Sequence, residues 1–441
     1  MCFSVALIVS AVAWIGVTGC SKDPAQTLTI VYSNDLNGVI RSCGCPVKDY
    51  GGLGRRATFT DLVRDSTSNF LLVDAGDFFG REVNYGKEKA DITMKSMDLM
   101  GYHGVTLGEN DFGFGTDFIV DRVNATGLPV LGANVYDAAT SELLFPPSWV
   151  VEYPGGLEVG LIGVTGNKMK LPPQVEPGSV RITDPINAVR REVAELGEGI
   201  DVIVVLAHVA LRDAQAIASE VPEVDIVIFG HEGRPTRKLS RHGNAFLLQV
   251  PKDGTHAGVA FAVIGEGGGV RTLSNYIKPL SKEFEDHEAI ARLFHSYDMN
   301  VAAKEKSNVP AGLYEKRLRL PKPYPGSEAC AECHEEEYAT WKASAHARAM
   351  ATLEAESREY DRDCIPCHTT GFYKRGGFEH VSVTPGLTTV GCESCHGSGF
   401  DHVADTARGL EGDPGTACLS CHDDRQDPDF DFEADWPLIR H

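Results

Sequence analysis

The sequence predicts two unlike regions in one chain: an α/β domain, followed by a mostly helical, sheet-poor domain. Three observations carry this. From Leu28 to about Leu280, short apolar runs alternate with amphipathic stretches. After Gly326 the strand pattern stops. Between residues 330 and 422 the chain then holds four Cys-x-x-Cys-His repeats. At 441 residues, two domains are the ordinary expectation. A hydrophobic fraction of 42% supplies enough apolar side chain for a sizeable core.

The chain opens with an apolar run from Val5 to Val17 and then Thr18-Gly19-Cys20. That run is too short for a comfortable membrane span and has the length of a signal-peptide core. Val17-Thr18-Gly19-Cys20 resembles a bacterial lipoprotein cleavage box, so residues 1–19 are expected to be a signal peptide and Cys20 the lipidated residue. Acyl chains there would hold the protein to a membrane that its net charge of −21 would not seek. The expected setting is the periplasmic side of a membrane or the cell surface. The acidic balance and the lack of a basic patch exclude nucleic acid as a partner.

Residues 28–281 form the expected α/β domain. Strand candidates are Leu28–Tyr32, Phe70–Val73, Val105–Leu107, Val159–Val164, Val202–Leu206, Ile226–Phe229, Phe246–Val250 and Val259–Ile264. Helix candidates between them include Leu53–Arg64, Lys87–Met100, Pro185–Leu196 and Arg212–Glu220. Several strands end in polar residues followed by glycine, where α/β proteins place their chemistry. Residues 282–325 read as a helix over Lys282–Lys306 and a stiff linker carrying Pro310, Pro321, Pro323 and Pro325. Residues 326–441 have little aliphatic core of their own.

The repeats in that last region are Cys330-x-x-Cys333-His334, Cys364-x-x-Cys367-His368, Cys392-x-x-Cys395-His396 and Cys418-x-x-Cys421-His422. Each is the attachment signature of a c-type haem: two thiols bond one porphyrin and the adjacent imidazole reaches its iron. A zinc reading pairs the Cys-x-x-Cys units but leaves the fifth-position histidine unexplained. Four covalent haems are expected, and their attachment implies export. The same region holds four further histidines, His346, His380, His402 and His441, which suggests mainly bis-histidine iron. Met350 is the alternative to His380.

The contexts Trp341-Lys-Ala-Ser-Ala-His346, Cys395-His396-Gly-Ser-Gly-Phe-Asp-His402 and Asp435-Trp436-Pro-Leu-Ile-Arg-His441 resemble the tetrahaem cytochrome c family of nitrification-type electron carriers. That resemblance implies that such histidines are distal ligands, with one haem able to lack a sixth ligand.

The strand ends of the first region carry Asn34-Asp35-Leu36-Asn37-Gly38, Asp74-Ala75-Gly76-Asp77, Gly108-Glu109-Asn110-Asp111-Phe112, Ala207-His208 and Gly230-His231-Glu232-Gly233. With Gly51-Gly52-Leu53-Gly54-Arg55, they resemble the periplasmic 5′-nucleotidase branch of the calcineurin-like metallophosphoesterases. The resemblance implies a two-metal site that clamps a phosphoester and activates water. Asp35 then matches the first-metal aspartate, Asp77 the bridging aspartate, and His208 and His231 the second-metal histidines. Asn37 and Gly233 stand where the family has first-metal histidines. Glu109 replaces a metal-binding asparagine, Asn110 the transition-state histidine, and Gly113 the aspartate that orients it. An asparagine has no proton to give, so this acid–base element is gone. Asp77, Glu109, His208 and His231 are left as ligands for a single divalent ion, or for a bare site.

Of twelve cysteines, eight belong to the repeats; Cys2 and Cys20 lie in or at the end of the export segment, and Cys43 and Cys45 remain. Three readings of this pair stay open: thiolate ligands beside Asp35 and Asp77, a redox pair, or inert loop cysteines. The sequence thus points to an exported multihaem electron-transfer protein serving redox partner proteins, coupled to a redox or metal centre. The alternative is a metal-dependent phosphoester or sulfur-ester hydrolase fused to a cytochrome.

Overall fold

The computed structural model describes residues 26–42, 49–80, 85–232, 239–307, 323–423, 427 and 430–441. Cys2, Cys20, Cys43, Cys45, Gly233 and most of the proline-rich linker lie outside the described residues.

In the α/β region, β1 (Thr27–Ser33), β2 (Phe70–Asp74), β3 (Gly104–Thr106) and β4 (Val130–Leu131) run parallel in one sheet. Its other edge is built by β13 (His256–Ile264) and β14 (Val270–Pro279), giving the order β14-β13-β1-β2-β3-β4. The second sheet has the order β11-β12-β10-β9-β7-β6. It comprises β6 (Ser148–Glu152), β7 (Glu158–Thr165), β9 (Val202–His208), β10 (Ile226–Gly230), β11 (Arg241–His242) and β12 (Ala245–Leu248). A short antiparallel pair, β5 (Val135–Asp137) with β8 (Val180–Ile182), stands apart.

The period of two along each strand decides the layering. Leu28, Ile30 and Tyr32 of β1 pack with Val159, Leu161, Val204, Leu206, Ile226 and Ile228, so the sheets face each other. The other face of the first sheet, including Val31 and Leu72, is covered by α1 (Leu53–Asp65), α2 (Gly86–Met100), α3 (Thr116–Thr126) and α6 (Glu288–Ser307). Ile162, Val205 and Val227 point outward to α4 (Pro185–Leu196) and α5 (Leu211–Glu220). The result is an α/β/β/α sandwich.

Local signals set several boundaries. Asp184 caps α4 by accepting from the Asn187 amide at 2.9 Å, Pro185 begins it, and Gly197 follows its last residue. The structure corrects one expectation: the helix read over Lys282–Lys306 begins at Glu288, after a turn. Its Ile290, Phe294, Tyr297 and Val301 enter the same core as α1 and α2, so this helix packs as part of the α/β sandwich.

The C-terminal region is built from short helices and turns, with one small apolar cluster of Met350, Leu353, Ile365, Phe378 and Leu387. No described helix in the chain is long and apolar enough to cross a membrane.

One close approach tests the sheet packing. In the β1–β13 register Tyr32 opposes Gly258, and a Cβ at Gly258 would overlap the Tyr32 ring. Gly258→Ala should therefore destabilise the chain by roughly 1–3 kcal/mol through overpacking. A lowered urea midpoint with an unchanged slope checks this.

Candidate metal centre and haem-attachment region

The parallel strands deliver the first site. Asp35 follows β1, Asp77 follows β2, Glu109 follows β3, His208 ends β9, and His231 follows β10. Several of these residues turn sharply there: Asp35, Asn37, Asp77 and His231 all have positive φ, between 50° and 89°. Non-glycine residues in that region carry strain and cluster at functional sites.

His208 is fully buried, in a slot between glycines. A Cβ at Gly76 would lie 3.1 Å from its Nδ1, and one at Gly230 only 2.8 Å. Nδ1 lies 2.9 Å from the Ala75 carbonyl, to which an Nδ1–H donates, so Nε2 turns its lone pair into the site. Nε2 lies 3.1 Å from Glu109 Oε2 and 3.5 Å from Asp77 Oδ2, while His231 Nδ1 lies 3.2 Å from Glu109 Oε1. Both His208 Nε2 and Glu109 Oε2 are buried without a hydrogen-bond partner. Such a pair calls for a shared proton or cation. Donors about 2.0–2.2 Å from one tetrahedral ion lie roughly 3.3–3.6 Å apart, close to what is seen here. Glu109, His208 and His231 therefore fit one divalent ion.

Around the other two carboxylates the donors are already in place. Both oxygens of Asp35 accept from the His231 amide, at 3.0 and 3.1 Å, and Oδ2 also accepts from Asn34 at 2.7 Å. Asp77 accepts from the Asn110 amide at 2.8 Å and from its carboxamide at 2.5 Å. Asn37 donates to the Asp35 carbonyl at 3.1 Å and to Asp253 at 2.9 Å. Neutral N–H groups of Asn37 and Asn110 thus stand where the resemblance leads one to expect imidazoles. Asp35, Asp77 and His208 still lie close enough together to share an ion.

Burial resists charge on His208, but Asp77, Glu109 and Asp35 outweigh it and push its pKa up to about 10. Burial also resists charge on Glu109, yet the adjoining imidazoles of His208 and His231 hold its carboxyl well below the usual range. Burial raises Asp77 to about 6, partly offset by His208. His231 is raised, chiefly by its hydrogen bond to Glu109.

Asp111, which the motif reading left without a role, proves structural. Its carboxylate accepts from the amides of Asp77, Phe79 and Gly108, each at 2.8 Å, and so fixes the turns bearing Asp77 and Glu109. The Gly108 contact is a local helix cap, whereas no sequence signal pairs Asp111 with the Asp77 and Phe79 amides more than thirty residues away.

In the C-terminal region the repeats form single helical turns. The His334, His368 and His422 amides reach the carbonyls of Cys330, Cys364 and Cys418 at 2.9, 3.2 and 2.8 Å; Cys392–His396 is itself helical. Spacing of three and four places both thiols and the ring on one side of a turn. The structure then pairs three repeat histidines with spare ones. Ring centroids are 6.0 Å apart for His334 and His402, 6.1 Å for His346 and His422, and 5.8 Å for His396 and His441. For metal–imidazole bonds of about 2.0–2.1 Å, two rings facing one ion have centroids roughly 6 Å apart.

Nδ1 partners orient several of these rings: Arg408 O for His402 (2.6 Å), Asp427 for His422 (2.7 Å), Ala349 O for His368 (2.7 Å) and Ile439 O for His441 (3.1 Å). Those contacts leave each Nε2 available as a ligand atom. His380 is placed differently: it lies over Tyr360, with Nδ1 on Ser382 at 2.7 Å, rather than against a repeat histidine. Met350 is buried in the small apolar cluster. The thiols of Cys330 and Cys392 adjoin, as do those of Cys367 and Cys421, so the first and third repeats are neighbours and the second and fourth likewise.

Comparison with known proteins defines both classes. The α/β region has the calcineurin-like phosphoesterase fold of 5′-nucleotidases, and the C-terminal region is similar to c-type cytochromes of the cytochrome c-554 kind. In particular, the family described as Cytochrome c554 and c-prime matches residues 329–397. Cytochrome c-554 of Nitrosomonas europaea is 39% identical over 98 residues, 19% of this chain and 42% of that protein. A 5′-nucleotidase of Diplobatis ommata is 30% identical over 216 residues, 46% of this chain and 37% of the relative. The calcineurin-like phosphoesterase YfkN from Bacillus subtilis superposes with a TM-score of 0.54 at 20% identity, covering 63% of this chain and 98% of that structure. The chain thus spans less than two thirds of the length of these curated relatives.

Two outcomes are expected. The chain should bind one divalent ion tightly, releasing the His208 proton, so apparent affinity should rise between pH 6 and pH 8. Elemental analysis and calorimetry in buffers of different ionisation heat check this; two tightly held ions would overturn it. Asp111→Ala should cost roughly 3 kcal/mol or more by stranding three buried amides, and Asp111→Asn less, as read from urea midpoints.

Proposed function

We propose that this chain is an exported, membrane-anchored electron carrier that exchanges electrons with redox partner proteins. Its α/β region is a phosphoesterase fold turned into a redox or metal centre. The observation that supports this best is the facing of His334 with His402, His422 with His346, and His396 with His441. When haem is bound, the porphyrin iron supplies the one-electron chemistry. These three pairs of histidines would hold it and leave no open position for substrate there. Asn110 supports the second half of the reading, because it hydrogen-bonds Asp77 where a hydrolase of the resembled type needs an acid–base imidazole.

Anchoring at Cys20 and four haems per chain belong to this reading. So does a redox or ligand role for Cys43 and Cys45 beside Asp35. Pyridine haemochrome analysis should give four haems per chain with mainly low-spin spectra; fewer than three would count against it. Substituting both Cys43 and Cys45 by serine should change metal content or redox turnover, and no change in either would remove both roles.

A second reading, a metal-dependent phosphoester or sulfur-ester hydrolase, is favoured by the Glu109, His208 and His231 cluster and by relatives named 5′-nucleotidase. Generic phosphomonoesters and phosphodiesters with added manganese or zinc decide between the two. Metal-dependent turnover lost in His208→Ala would make hydrolysis the function; no turnover keeps electron transfer first.

A further inference from the structure

The second haem-attachment repeat is not simply one of four. The segment leading into it docks on the α/β region. Asp363, which precedes Cys364, forms an ion pair with Lys89 of α2, whose side chain is only 5% exposed. Arg362 bonds Glu305 of α6 at 3.0 Å, and the Tyr85 hydroxyl donates to the same carboxylate oxygen at 2.7 Å. Tyr360 packs against the core shared by α1, α2 and α6, and Lys306 lies 5.4 Å from the centre of its ring. Asp361 pairs with Arg358 at 3.0 Å, and the same guanidinium lies 3.1 Å from the Cys364 sulfur.

Lys89 is unusual in this setting. A lysine end withdrawn from water inside α2 loses hydration and must recover it from an opposite charge. That charge, Asp363, comes from the other region and adjoins a haem-bonding cysteine. Lys89 also acts on Asp361, whose acidity it strengthens together with Arg358 despite burial. A fixed positive charge near a haem favours the reduced state, which carries one positive charge fewer at iron, and a fixed carboxylate favours the oxidised state. The α/β region therefore contributes a buried cation to the edge of one haem site.

We propose that Lys89 is a potential-setting residue for the haem attached at Cys364 and Cys367, so that docking of the α/β region raises the reduction potential of that haem alone. This rests on the haem reading of the second repeat, but not on any role of Cys43, Cys45 or the metal centre.

The test uses the full, haem-loaded chain. Haem content is measured first, and the couples are then resolved by spectroelectrochemical titration with electron paramagnetic resonance. In Lys89→Met one couple should fall, because Asp363 and Asp361 lose their counter-charge. In Asp363→Asn the same couple should rise. Each shift should be threefold to tenfold in the one-electron equilibrium, and tenfold is about 59 mV. Glu288→Gln removes an exposed charge that pairs with Arg292 at the far start of α6, and should move none. Asp363 is half-exposed, so Asp363→Asn carries the test alone if Lys89→Met fails to fold.

Full haem loading with every couple unmoved overturns the inference and leaves the haem reading intact. So does a shift spread over several couples, or the same sign in both variants. A chain without haem at Cys364 and Cys367 overturns the haem reading and this inference with it.

Discussion

His208 holds the two sheets of the α/β region in register at one point. Its backbone ends β9 and pairs with Gly230 of β10, while its ring reaches across to the Ala75 carbonyl beyond β2. Neither neighbouring glycine can carry a side chain without displacing the imidazole. With the ring fixed, Nε2 can point only at Glu109 and Asp77, and everything else at the site follows from what occupies that direction. A proton gives an ion pair; a divalent ion gives a coordination site. Asp35 depends less on that choice, because the His231 amide and the Asn34 carboxamide already donate to it.

The two regions solve the problem of a stable interior in opposite ways. The sandwich buries long alternating strands between its sheets and under its helices. The C-terminal region offers five buried side chains in its apolar cluster and is rich instead in thiols and imidazoles. Short helical turns suffice there, because each has only to set two sulfurs and one ring on the same side. The facing histidine pairs are the complement: residues far apart in the chain, brought to a common separation near 6 Å.

Much of this was legible in the residues. The α4 boundaries, Pro185–Leu196, coincide with the sequence reading because the cap, the proline and the following glycine are all local. Apolar patterning alone ends a strand at its first polar residue, but β9 runs on through His208, since backbone pairing is indifferent to a polar side chain. The strand β14 and the helix α3 gave weak patterns, as β14 alternates polar, exposed positions and α3 buries only Ile119 completely. The start of α6 lies later than composition suggests, because the charged stretch before Glu288 has helix-forming residues but lies in a turn. At the sites, ligand-type residues announced themselves by standing at strand ends or in fixed spacings. Their supports did not: Asp111 and Asp253 act on groups that only the fold brings near. Likewise the spare histidines were visible as a set, while the partner of each is a tertiary fact.

The ion pair between Lys89 and Asp363 has a thermodynamic reading that runs in both directions. A charge that favours adding an electron at the second repeat must, by linkage, be held more firmly once the electron has arrived. Reduction therefore tightens the contact between the two regions by the factor by which that contact favours reduction. The joint is then not only a mechanical fastening; it behaves as a binding equilibrium in which the electron is one of the ligands.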